Sequence, residues 1–348
     1  MRKRINNLFF AVGITAVIVM FCTFNVSFTE LCAYISQAGY WLAAILGLWL
    51  LLYVLDTWAW QIIICGSGPC TINFPHLLKL TVTGFALNYA TPMGMVGGEA
   101  YRVMELSRYI DVRRATSSVV LFVMMHVFCH FWFWITSIVV YLILAVTGNL
   151  PLNMTIGLVL VFAASFCSGG IYLFVRGYKY GMVVRLMRII SKLPGLRTWG
   201  KRFSESHRDD LEKIDRQISE LQGQNKRSFL GSFFLEYLGR LLQSFEIFFM
   251  LMLFGINGGG GVYGYLLTFL HSFLILAFTS LFANLLGFLP LQLGGREGGF
   301  AMSVAQMGMT SGTAMLISII CRVRELFWTS IGLLMMKIGN RNETTNNT

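Results

Sequence analysis

From Ala115 to Thr147 the chain carries no Lys, Arg, Asp or Glu. If such a stretch crosses a bilayer, every backbone N–H and C=O must find its partner inside the protein. That leaves a helix or a closed barrel. The alternation of apolar and polar residues that a barrel strand needs is absent, so the stretch reads as a helix long enough to span at a tilt. Apolar runs of spanning length, some with a few charged residues, recur at 8–28, 40–65, 152–175, 229–254 and 312–338. Composition agrees: 56% of the 348 residues are apolar and 12% are charged, roughly half the charged share of a soluble domain. The expected fold class is an all-α polytopic membrane protein with about six full spans.

The formal net charge is +11. On a soluble chain that would point to nucleic acid; here its placement points to topology, and no nucleic-acid partner is expected. Lys and Arg gather at 2–4, 102–114, 176–202 and 337–341, whereas the segments 29–39, 147–153 and 255–261 contain none. This positive-inside pattern puts both termini in the cytoplasm. The basic tetrad Met1-Arg2-Lys3-Arg4 precedes an apolar run too long for a signal-peptide core, so 8–28 reads as a retained span.

Two stretches interrupt the apolar pattern with chemistry. The later is Leu289-Pro290-Leu291-Gln292-Leu293-Gly294-Gly295-Arg296-Glu297-Gly298-Gly299. The earlier is Pro92-Met93-Gly94-Met95-Val96-Gly97-Gly98-Glu99, with Arg102 one turn later. In each, Pro breaks a helix, Gly lets the backbone turn or pack closely, and a carboxylate falls in the first turn of the next helix. The hinge residues are therefore Pro92, Gly97, Gly98, Pro290, Gly294 and Gly295. Each break lies inside a re-entrant hairpin, 76–111 entering from the cytoplasm and 262–309 from outside. Two such hairpins in opposite senses make an inverted repeat. The domain organisation expected is a first transmembrane half at 1–175, a cytoplasmic linker at 176–228 and a second half at 229–348. In the linker, eight basic residues from Arg176 to Arg202 stand without an acid. They suit anionic headgroups or serve topology alone. Ser204–Gln222 reads as a mixed-charge amphipathic helix.

Ionisable groups inside spans cost a few kcal/mol unless paired, and they face a bundle interior or a polar cavity. Glu236 and Arg240 lie four apart, with Gln243 and Glu246 beside them. The last span carries Ser318, Arg322, Glu325 and Thr329 on one stripe and Arg324 on another. Asp56 lies within the second span and either faces a cavity or caps a neighbour. His126 and His130 share a helix face at metal-ligand spacing, but no partner motif accompanies them and no metal is expected. The cysteines show no CxxC pair and read as small apolar fillers. P-loop, HExxH, GxSxG and strand-borne GxGxxG motifs are absent, so neither a catalytic residue nor a cofactor is assigned.

A planar guanidinium donates two hydrogen bonds to one phosphate, and helix N-termini add N–H donors. Arg102, Arg240, Arg296, Arg322 and Arg324 can thus receive a phosphate headgroup. Glu99, Glu236, Glu297 and Glu325 would orient them, contact a substrate amine or carry a coupling proton. The other reading is that these charges only pair with each other to lock helices together.

At these residues the chain resembles the lysylphosphatidylglycerol synthase transmembrane-domain family of flippase-like integral membrane proteins. The resemblance is carried by Asn88…Pro92…Gly97-Gly98-Glu99…Arg102, by Pro290…Gly294-Gly295-Arg296-Glu297-Gly298, and by Arg322 or Arg324. That family includes the membrane half of the multiple peptide resistance factor, which moves aminoacylated phosphatidylglycerol between leaflets. The chain ends soon after its last apolar run, so the resemblance implies lipid movement and not aminoacyl transfer. It further implies a multi-pass protein of a bacterial inner membrane, acting as a flippase or scramblase on a phospholipid or lipid-linked glycan. An intramembrane transferase and a non-transporting partner subunit are the alternatives, and homo-oligomerisation stays open.

Overall fold

The computed structural model describes residues 28–69, 72–90, 97–180, 226–285 and 295–337. Among them the chain is helical, without strands: α1 (Phe28–Gly66), α2 (Phe74–Ala90), α3 (Gly97–Leu106), α4 (Val112–Val146), α5 (Met154–Tyr180), α6 (Lys226–Leu253), α7 (Gly261–Leu285), α8 (Gly295–Gln306) and α9 (Ser311–Lys337). The expected span 8–28, the linker helix Ser204–Gln222 and the hinges Pro92, Pro290 and Gly294 lie outside the described residues.

Four of these helices are long and apolar enough to cross a membrane: Gly39–Gly66, Val112–Val146, Met154–Arg176 and Gly261–Leu285. With the all-helical architecture, they make this a polytopic all-α membrane protein. Helix α1 kinks at Gly39, whose φ of 50° only glycine adopts cheaply, and the apolar stretch starts there. At the other end of α1, Ser67 Oγ and Arg114 Nη2 donate to the Ile64 carbonyl at 2.9 and 2.7 Å. The arginine comes from α4 and also complements the negative end of the α1 dipole. Helix α4 starts where Asp111 accepts the Arg113 N–H at 3.0 Å.

The helix pairs flanking the two breaks differ. Helix α2 has 17 residues and α3 has 10, so the first pair is short on both sides. In the second, α8 has 12 residues but α7 has 25 and the length of a full span.

Packing follows a regular exchange. Replacing α1, α2, α3 and α4 by α6, α7, α8 and α9 maps one set of contacts onto another. Thus α2–α3 matches α7–α8, α3–α4 matches α8–α9, α1–α2 matches α6–α7, α4–α7 matches α9–α2 and α4–α6 matches α9–α1. Helices α1 and α6 pack most extensively on each other and lie at the centre of this exchange.

Two apolar cores occupy opposite ends of the bundle. One gathers Trp60, Ile63 and Ile64 of α1, Tyr101 and Leu106 of α3, Phe122 of α4 and Leu333 of α9. The other gathers Ile45 of α1, Phe133 of α4, Phe273 of α7, Phe300 of α8 and Ile317 of α9. The short helix α3 therefore sits at one end and the short helix α8 at the other. Lipid is as apolar as leucine, so these cores contribute close packing and little water expulsion. Cys129, Cys167 and Cys321 are buried fillers, while Cys65 is exposed. Along α1 and α9, Asp56 and the charged residues Arg322, Arg324 and Glu325 fall between the two cores.

Candidate functional site

The first turn of each short helix is pressed onto the helix before it. A Cβ at Gly98 would collide with the Gly84 carbonyl oxygen and with Asn88. A Cβ at Gly299 would meet Thr279 Cα at 3.0 Å. These glycines permit the close approach. It puts the polar residues following Gly97-Gly98 and Gly295 into the middle of the bundle. Asn88 closes the first junction: its Oδ1 accepts the Gly98 N–H and its Nδ2 donates to Glu99, both at 2.8 Å.

Arg102 then folds back inside the protein, its side chain 1% exposed. It pairs with Glu99 at 3.6 Å and donates to the Thr81 carbonyl at 3.2 Å. Its guanidinium lies over the Phe85, Phe122 and Trp60 rings at 4.7, 5.3 and 5.7 Å. Three ring faces around one cation make a cation–π cage, so every contact of Arg102 is internal.

Glu236 and Arg240 face α4, where His126 stands between them. His126 Nδ1 is 3.0 Å from Glu236 Oε2, and Arg240 Nη2 bonds His126 Nε2. With Nδ1 carrying the ring proton, the imidazole donates to the acid and accepts from the arginine. Arg240 also donates to Gln243 at 2.9 Å, and His130 Nδ1 donates to the His126 carbonyl at 2.9 Å. The shared face of His126 and His130 is thus occupied by this network. No group of three or more His, Cys, Asp or Glu among the described residues is placed to hold a metal. Asp56 faces the same region from α1: a Cβ on Gly239 would stand 3.9 Å from its Oδ1.

The second group forms where α8 meets α9. Glu325 is its hub. Its Oε1 accepts from Arg296 and lies 3.4 Å from Arg324 Nη1; its Oε2 accepts the Tyr89 hydroxyl and lies 3.5 Å from Arg322 Nη1. Arg322 Nη1 donates to the Tyr89 oxygen, and its Nη2 donates to Glu297 at 2.8 Å. Arg324 donates through Nε to Glu246 at 2.9 Å and stacks over Trp49 at 3.8 Å. Among the described residues three arginines meet three glutamates, so their charges balance. Exposure is graded across it: Arg324 and Glu246 are buried, Arg296 is 16% exposed and Glu297 40%.

The nine charged residues singled out in the sequence therefore fall into two groups, not one. Glu99, Arg102, Glu236 and Arg240 belong to the first, and Arg296, Glu297, Arg322, Arg324 and Glu325 to the second. Tyr53 on α1 lies between, within the fields of Arg324 and Glu325 on one side and Asp56 and Arg102 on the other. Sequence reasoning missed Tyr89, Trp49, Tyr53 and the aromatic cage. The spacing Trp49, Tyr53, Asp56, Trp60 is a helical stripe on α1 that ends in the cage, and it was the available signal.

A multi-helix membrane protein with buried arginine–glutamate networks at two glycine-rich helix junctions is the class that fold and site define. The chain belongs to the family described as the lysylphosphatidylglycerol synthase TM region, whose model matches residues 8–332. It is accordingly an integral membrane protein of lipid-related function. No curated protein and no solved structure matches it.

Proposed function

We propose that this protein moves a phosphate-containing lipid between the leaflets of a bacterial inner membrane. The headgroup crosses between the helix junctions while the acyl chains stay in the bilayer. The observation that carries this reading is the graded α8–α9 group. Arg322 is held by Glu297, the most exposed acid of the group, next to the partly exposed Arg296. A phosphate takes the place of Glu297 on Arg322 and draws a second fork from Arg296; both anions suit the same planar donor. The displaced Glu297 turns to an amine or hydroxyl of the headgroup. Glu325 touches both guanidiniums, and the Tyr89 hydroxyl bonds Glu325 and Arg322.

The matched contacts support a related pair of halves, 1–175 and 229–348, joined by the 176–228 linker. On this reading α2–α3 and α7–α8 enter from opposite faces, with both chain ends cytoplasmic. The basic residues 176–202 then lie against anionic headgroups.

The test is reconstitution of the purified protein in liposomes containing fluorescent lipids of several headgroups. A membrane-impermeant quencher reports the accessible fraction. A fraction above that of empty liposomes, lost in Arg296→Ala and Arg322→Ala proteins that remain folded, is the expected result. A fraction equal to empty vesicles for every lipid refutes the reading, as does one indifferent to both substitutions. A headgroup-modified lipid product would replace it with a transferase.

A further inference from the structure

The two polar groups differ in charge balance. Around α8 and α9 each acid among the described residues is matched by an arginine. Around Asp56 the described residues supply three acids, Asp56, Glu99 and Glu236, and two arginines, Arg102 and Arg240. Glu99 is engaged by Arg102. Arg240 spends its hydrogen bonds on His126 and Gln243 and forms no ion pair with Asp56 or Glu236. Glu236 is 1% exposed, and its Oε1 has no hydrogen-bond partner. A fully ionised group would bury one uncompensated negative charge inside the membrane, which is costly.

Among the described residues, the surroundings of Asp56 offer no other compensation. On α1 its neighbour one turn back is Tyr53; α6 brings Glu236 and Arg240, α3 brings Arg102 with Glu99 paired to it, and α4 brings Cys129, with His126 and His130 of the same helix beside Arg240. On α9, Arg324 and Glu325 reach Tyr53 but are engaged in the other group. His76 and Lys79 of α2 lie instead beside Arg108, with Glu105 next to Lys79.

We propose that Asp56 and Glu236 share one exchangeable proton, with His126 as its relay, and that this is the coupling-ion site through which a proton gradient drives the lipid movement inferred above. One proton makes the group neutral, and it gives the bare Glu236 Oε1 a hydrogen. When the group opens and Arg240 leaves His126 Nε2, that nitrogen takes up a proton and the Nδ1 proton passes to Glu236, so the relay runs through both ring nitrogens. The site lies on α1 and α6, the two helices at the centre of the packing exchange, so a change in its charge acts on the contact about which the bundle would rock.

Two measurements test this on the reconstituted full-length protein. Infrared difference spectroscopy at neutral pH reads the carbonyl stretch of a protonated carboxylic acid, with its shift in heavy water. The band is expected in the wild type and is expected to be lost or halved in Asp56→Asn and in Glu236→Gln, both near-isosteric. Its absence from the wild type, or its survival unchanged in both variants, overturns the proton site. In the vesicle assay, an imposed pH gradient is expected to shift the steady leaflet distribution of the transported lipid severalfold in the wild type and not in Asp56→Asn. A wild-type distribution indifferent to the gradient overturns the coupling. If no lipid moves under any condition while the carboxyl band is present and responds to the variants, the transport reading fails and the proton site stands.

Discussion

Replacing Glu325 by Gln is the sharpest test of how the α8–α9 group is held. The carboxylate contacts Arg296, Arg322, Arg324 and the Tyr89 hydroxyl. Gln preserves the volume but removes the charge, leaving three guanidiniums with only Glu246 and Glu297. Removing one partner of a buried ion pair costs about 3–5 kcal/mol, because the remaining charge is stranded. The same substitution at Glu297, 40% exposed, leaves the buried Arg322 still beside Glu325, so the cost should fall nearer the ~1 kcal/mol of a partly exposed pair. Heating the detergent-solubilised protein and following the folded fraction by size-exclusion chromatography gives the comparison. Glu325→Gln should melt well below the wild type and Glu297→Gln close to it. Adding Arg296→Gln to Glu325→Gln should recover part of the loss, since it removes one stranded cation. Equal melting for the two single variants, or no recovery in the double, would refute the assignment of Glu325 as the hub.

Gly98→Ala should destabilise by about 1–3 kcal/mol or more, because the new methyl meets the Gly84 backbone; Gly47→Ala, where the methyl meets open space, should melt like the wild type. Asn88→Ala removes both the α3 cap and the donor to Glu99 and should cost about 1–2 kcal/mol in the same assay. Arg102→Lys keeps the charge but loses the flat cation that three rings enclose. Its melting temperature should fall although the substitution is conservative in charge, and a wild-type value would argue against the cage.

Much of the architecture was legible in sequence because lipid imposes one rule on every span. The apolar runs at 115–147 and 312–338 correspond to α4 and α9 within a few residues. Gly97-Gly98 and Gly295 mark helix starts, and the close approach to the preceding helix falls at Gly98 and Gly299. The partition of the charged residues was not legible. Glu325 reaches Tyr89 across 236 positions of sequence, and periodicity says nothing about which faces meet. The 25 residues of α7 suffice for a span, and crossing and returning helices share the same hydropathy. Arg102 illustrates a further limit. Its motif position suggested a ligand-facing cation, and only the packing of α1, α2 and α4 around it reveals the aromatic cage.

The charges on α6 and α9 also bear on how the protein is made. Neither helix is among the four apolar enough to cross a membrane unaided, and an Arg or Asp at a helix centre opposes entry into lipid by about 2.5–3.5 kcal/mol each. Arg324 of α9 neutralises Glu246 of α6, and Glu297 and Arg296 of α8 engage Arg322 and Glu325 of α9. During synthesis α6 must therefore wait, sheltered by the translocation machinery or by α1, until the last helix emerges. Chains stopped before Ser311 should leave α6 incompletely inserted and open to degradation.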